Sequence, residues 1–155
     1  MASTADMIWE VDWLWSLPLI VMSVVIHVIG LMLIHGEVIR ILSKAVTRRR
    51  FAPMFVVVMG LVALLATILH ALEGTVWAVA YRLLDALPDG RSALLYSLSA
   101  MTSYGHADLY LKEHWQLMGA LEALNGTLLF GLTTAFLFAM IREAWDIERK
   151  QRGHA

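Results

Sequence analysis

Residues 92–108 read Ser92-Ala93-Leu94-Leu95-Tyr96-Ser97-Leu98-Ser99-Ala100-Met101 and then Thr102-Ser103-Tyr104-Gly105-His106-Ala107-Asp108. Pro88-Asp89-Gly90 makes a turn ahead of them, so the spacing predicts a helix over 92–101 with Ser92 as its cap. Ten helical residues reach about 15 Å, half of a bilayer core of about 30 Å. The segment 102–108 that follows is short and rich in hydroxyl and other polar groups. A half-length helix followed by such a segment suits an element that enters a membrane from one face and stops midway. Irregular backbone is tolerated at that depth only where protein buries it or where it lines water.

The flanks of this stretch are built for lipid. Residues 13–34 carry no formal charge and one histidine, His27. Residues 51–72 carry no formal charge and stay apolar past Glu73 to Tyr81, and residues 117–141 are interrupted by Glu122 and Asn125. About 20 apolar residues cross a bilayer, so each run is long enough. Composition agrees: of 155 residues, 59% are hydrophobic and 16% charged, against about 25% charged in soluble domains. A net charge of −1 gives no basis for nucleic-acid binding, and the absence of cysteine removes disulfides, thiolate metal sites and thiol catalysis. No nucleophile with its base and no phosphate-binding loop is present, so no catalytic residue and no enzyme activity is expected.

Asp6, Glu10 and Asp12 precede the first run without a Lys or Arg, which is wrong for a cleaved leader, so that span is expected to be retained. Arg40, Lys44, Arg48, Arg49, Arg50, Arg142, Arg149, Lys150 and Arg152 lie on one side of the membrane under a three-span reading, and Arg82, Arg91 and Lys112 on the other. Nine against three places the N-terminus outside and the C-terminus inside. Trp9, Trp13, Trp15 and Trp115 then form an outer aromatic belt, with Trp145 at the inner boundary. Val38, Ile41, Leu42, Ala45 and Val46 recur at helical spacing opposite Arg40, Lys44 and Arg48. That pattern is either an amphipathic helix on an anionic inner surface or an extension of the first span.

A span, a half-membrane helix, a Thr-Ser-x-Gly-x-x-Asp loop and a final span together resemble the pore module of the potassium-channel superfamily. The chain is more closely similar to small bacterial ion-channel-domain proteins with one extra N-terminal span. The resemblance implies an all-α membrane fold of three spanning helices plus a re-entrant pore helix and filter-like loop, assembled as a homotetramer in a bacterial inner membrane. It divides the chain into residues 1–50 (first span and basic inner segment), 51–145 (pore domain) and 146–155 (inner tail). The family's filter, Thr-Thr-Val-Gly-Tyr-Gly-Asp, falls on Thr102, Ser103, Tyr104, Gly105, His106, Ala107 and Asp108. Tyr104, His106 and Ala107 depart from it. Such a filter replaces an ion's hydration shell with carbonyls from four chains. Positive φ suits glycine there, and alanine at such a position costs on the order of 1 kcal/mol. Four imidazoles at His106 would oppose cation entry once protonated. The implied function is passive conduction of a monovalent cation, potassium by resemblance, with no cofactor and no resident metal. The rival readings are a non-conducting membrane scaffold or sensor with a degenerate pore, and a haem or metal oxidoreductase.

His70 and Glu73 share a helix face, and Glu122 lies one turn inside the third span. Intramembrane ionisable groups are expensive and are usually paired or functional. They read as a polar support of the filter, together with Asn125, holding the short helix through Ser97 and Ser99. A metal site of histidine and carboxylate is disfavoured because no second histidine is expected at the depth of His70. Counted from the ends of the apolar runs, His27 lies about 21 Å below the outer start and His70 near the outer face, which also disfavours a bis-histidine haem. Gly126 and Gly131 are candidate gating hinges, with close helix packing as the plainer reading.

Overall fold

The computed structural model describes residues 4–47, 51–102, 104 and 109–152. Among these are four α-helices, a single 3₁₀ turn and no strand: α1 (Thr4–Thr47), α2 (Phe51–Leu83), α3 (Gly90–Met101), the 3₁₀ turn Glu113–Trp115, and α4 (Gln116–Arg152). Helices α1, α2 and α4 are long and apolar enough to cross a membrane. Large apolar side chains such as Leu14, Met32, Val56 and Phe138 stay exposed on them, as lipid-facing groups do. The chain is a membrane-embedded, all-helical protein.

The helices outrun the apolar stretches that announce them. Residues 38–47 continue α1 without a break, and Val38 and Leu42 are buried. α2 reaches Leu83, eleven residues past the charge-free run that ends at Leu72, because Glu73 is accommodated inside the protein. Contacts divide the chain into two units. Met1–His27 with His70–Phe130 forms one, and Val28–Leu69 with Gly131–Ala155 the other. The second unit is built on Val38, Leu42, Phe51, Val58, Val62, Met140 and Ala144. Its aromatic group is Phe51, Phe55 and Trp145, with ring centroids 5.7–5.9 Å apart. The first unit holds the polar residues discussed below, around a core that includes Trp77, Tyr81, Leu87, Ala93 and Met118.

The turn before α3 is tied at several points. Asp85 adopts φ 52°, a left-handed conformation that Asp tolerates better than most residues, and Lys112 pairs with its carboxylate. Arg82 Nη1 donates to Leu87 O at 2.6 Å. The helix cap is Asp89 and not Ser92: the Asp89 carboxylate accepts from Ser92 N at 2.9 Å and from the Ser92 hydroxyl at 2.7 Å. α3 therefore begins at Gly90 and has 12 residues. Both residue types make good caps, and the extended φ/ψ falls on Asp89, which decides between them.

α3 lies in a cradle of glycines. A Cβ on Gly74 of α2 would sit 3.1 Å from Leu98 and 3.3 Å from Ser97 Oγ. On α4, a Cβ on Gly119 would sit 2.2 Å from the Tyr96 hydroxyl, and one on Gly126 would sit 2.3 Å from the Met101 carbonyl oxygen. Gly119 and Gly126 are seven residues apart, hence two turns along one face. The Met101 end of α3 thus lies about 15 Å along α4 from its first residue, by the rise of 1.5 Å per residue. Gly74, about 14 Å along α2 from Leu83, meets Ser97 and Leu98, one turn before that end.

Gly126 faces backbone, which cannot rotate away, whereas nothing lies within 4 Å of a Cβ on Gly131. Gly126→Ala is expected to destabilise by about 1–3 kcal/mol, the range for overpacking. Gly131→Ala should be neutral or stabilising by up to about 1 kcal/mol through helix propensity. Thermal unfolding of the two variants in detergent checks the contrast.

The Ser92 amide bonded to Asp89 holds its carboxyl below the usual carboxylate range, and the Lys112 ammonium does the same for Asp85. A depressed folded-state pKa stabilises above the unfolded value, about 3.9 for Asp, and that support is lost as pH falls through the folded value. The start of α3 should therefore loosen below about pH 4. Hydrogen exchange at Ser92 and Ala93, corrected for the intrinsic rate, should rise there, and Asp89→Asn should flatten the response.

Candidate functional site

Two buried carboxylates organise the first unit. Glu122, on α4, is fully buried and accepts from Tyr81 Oη at 2.7 Å. Its other oxygen meets Ser97 Oγ of α3 in a short hydrogen bond. Ser97 Oγ also donates to Gly74 O at 2.7 Å. Ser97 has one hydroxyl proton and two acceptors in reach, so both contacts are satisfied together when Glu122 carries a proton and donates to the Ser97 oxygen. Tyr96 packs edge-on against Tyr81, with centroids 5.5 Å apart. Glu122 thus joins α2, α3 and α4 at one point.

Glu73 serves a different neighbour. Its Oε1 lies 2.9 Å from His27 Nδ1 of α1, and its Oε2 lies 3.3 Å from His70 Nδ1. His27 and Glu73 are fully buried. The two imidazole centroids are 5.1 Å apart, and Phe130 stacks on His70 at 4.3 Å with an interplanar angle of 18°. The level assigned to His27 and His70 from the apolar runs is therefore corrected: the histidines are neighbours. His70 is not at the outer end, although it lies about 28 Å from Phe51, because α2 continues past it to Leu83; α1 and α2 are antiparallel here, with Ser23 accepting from Trp77 Nε1 at 3.1 Å.

The remaining sequence-selected residues fall as follows. Thr102 caps the C-terminus of α3, its hydroxyl donating to Leu98 O at 2.8 Å. Tyr104 N donates to Ser99 O at 3.0 Å while its ring is 83% exposed. Ser103, Gly105, His106, Ala107 and Asp108 lie outside the described residues. Ser99 donates to Leu95 O of its own helix, so of Ser97 and Ser99 it is Ser97 that reaches Glu122. Asn125 is buried, and neither amide atom has a hydrogen-bond partner among the described residues. Gly126 is a packing contact of Met101, and Gly131 is open.

Sequence reasoning missed three contributors. Tyr81 and Gly119 are one, since their roles depend on which residues α3 meets. His27 is another. The last is the polar stripe it belongs to: Asp12, Ser16, Ser23 and His27 are all buried on α1. The spacing of 4, 7 and 4 residues was the available signal. No protein-family model, curated protein or solved structure matches the chain.

Glu122→Gln keeps an acceptor for Tyr81 and a donor for Ser97, and should unfold within about 1 kcal/mol of the parent. Glu122→Ala strands the Tyr81 hydroxyl and opens a cavity, and should cost about 2–4 kcal/mol. Thermal unfolding in detergent separates the two.

Proposed function

We propose that the chain is one subunit of a homotetrameric membrane pore that conducts monovalent cations passively, potassium foremost, with its N-terminus outside. One observation carries this reading: α3 is seated between α2 and α4 by Gly74, Gly119 and Gly126, with Met101 against Gly126, about 15 Å along α4 from its first residue. On this reading α3 stops at Thr102 partway through an apolar slab. Loop backbone facing lipid costs several kcal/mol per unsatisfied group, and facing a water-filled axis shared with other copies removes that cost.

Electrostatics supports a cation as the cargo. The C-terminal end of a helix carries about half a negative charge, and α3 points that end at the loop. Thr102, Tyr104 and the segment to Asp108 are then the conducting residues, with Glu122 holding α3 from behind through Ser97. The exposed apolar residues Leu124 and Leu128 of α4 offer a surface for a neighbouring subunit.

Native mass spectrometry in mild detergent should give four chains, and proteoliposomes should pass potassium above the level of empty vesicles. His106→Tyr with Ala107→Gly should raise potassium over sodium selectivity about tenfold, equivalent to about 1.4 kcal/mol, read as a reversal potential. A monodisperse monomer would overturn the pore reading. An intact tetramer without flux would replace it with the non-conducting scaffold.

A further inference from the structure

Glu73, His27 and His70 bring two imidazoles and a carboxylate together in the apolar interior, and this cluster is independent of conduction. One donor atom from each lies within 4.8 Å of those from the other two. Each imidazole turns Nδ1 to a different carboxylate oxygen, at 2.9 Å for His27 and 3.3 Å for His70. Tetrahedral zinc with bonds of about 2.0–2.1 Å sets its ligand atoms about 3.4 Å apart, so closing the set needs movements of about 1 Å. Glu73 Oε2 is buried and faces His70 Nδ1 at 3.3 Å, so both carboxylate oxygens are turned into the cluster. Stacking against Phe130 fixes the His70 ring, and burial fixes His27.

We infer that His27, His70 and Glu73 form a binding site for a divalent transition-metal ion of the zinc class. Two nitrogens and one carboxylate suit borderline ions such as Zn²⁺ and Co²⁺, and they suit magnesium poorly, since that ion prefers six oxygens in octahedral array. The ion would tie the His27 turn of α1 to the His70–Glu73 turn of α2. His27 comes from one helix and the other two ligands from another, so occupancy stabilises the contact between them. The reason for setting a metal aside on sequence grounds was the lack of a second histidine at the level of His70, and His27 removes it.

The test uses the full chain in detergent, carrying no polyhistidine tag and stripped with a chelator. Co²⁺ is titrated while its visible ligand-field absorption is followed, and Zn²⁺ is added afterwards as competitor. The expected result is saturation at one Co²⁺ per chain, an absorption lost on adding Zn²⁺, and an affinity lowered about 100-fold or more in His70→Gln and Glu73→Gln. His35→Ala should bind like the parent, because the His35–Glu143 pair lies elsewhere and is 45% exposed on both sides. Absence of saturable binding, binding that survives His70→Gln and Glu73→Gln, or binding lost in His35→Ala overturns the proposal. If a ligand variant fails to fold, the parent decides by its unfolding midpoint. A rise with Zn²⁺ and Co²⁺ but not with Mg²⁺ supports the site, and an unchanged midpoint with all three removes it. Neither result depends on flux, so failure here leaves the conduction reading standing.

Discussion

The constraint on which the first unit depends is the hydrogen bond between Ser97 of α3 and Glu122 of α4. A short helix bearing hydroxyl groups cannot rest among apolar helices unless something inside the protein receives them. Gly74 O receives the Ser97 proton, and Glu122 bonds the Ser97 oxygen while accepting from the Tyr81 hydroxyl. Interhelical polar bonds in membranes are worth about 0.6–2 kcal/mol each, so these alone do not hold α3. Their weight lies in the penalty avoided, since an unpartnered buried polar group costs about 1–3 kcal/mol and a charged one more. Close packing supplies the rest. The glycines at 74, 119 and 126 let α3 approach two helices until dispersion contacts are dense, and the polar bond then fixes its rotation and depth.

α1 inverts the familiar arrangement of an amphipathic helix. Over residues 12–27 its buried positions are Asp12, Ser16, Ser23 and His27 with Leu19, while Leu14, Leu17, Val21 and Val25 are exposed; beyond them Leu31, Val38 and Leu42 are buried. In water this pattern would turn the helix over. In lipid the apolar face is the solvated one, and polar groups gain by finding each other, as Ser23 does with Trp77 and His27 with Glu73. The inversion independently supports the membrane assignment, because it involves which residues are inside as well as how hydrophobic the chain is.

What the sequence made legible follows from scale. Three runs of 20 or more apolar residues, the Pro88-Asp89-Gly90 turn and a half-length helix can each be read from local pattern, and the helices lie where those patterns put them. The continuations are legible too: α2 runs past Glu73 as the apolar pattern to Tyr81 does, and α1 runs through Arg40 as an extension of the first span. Depth hid the histidine pair: about 28 Å counted from Phe51 puts His70 at the outer face only if the span ends there, and α2 continues to Leu83. Glu122 stood out as an ionisable group within an apolar run, but its partners Tyr81 and Ser97 are 41 and 25 residues away, and no local pattern names them.

One turn of α2 then carries more than its length suggests. Glu73 and Gly74 are adjacent, hence about 100° apart around the helix, so one turns to α1 and the other to α3. Glu73 holds its carboxylate against His27, while Gly74 gives its carbonyl to Ser97 and its missing side chain to Leu98 and Met101. The two neighbours of α2 are therefore coupled through a single peptide unit. Any change that rotates α2 to follow His27 also moves the carbonyl that receives Ser97, and with it the seat of α3. Glycine is required at 74 for contact and a carboxylate at 73 for pairing, and neither demand tolerates a shift of register by one residue.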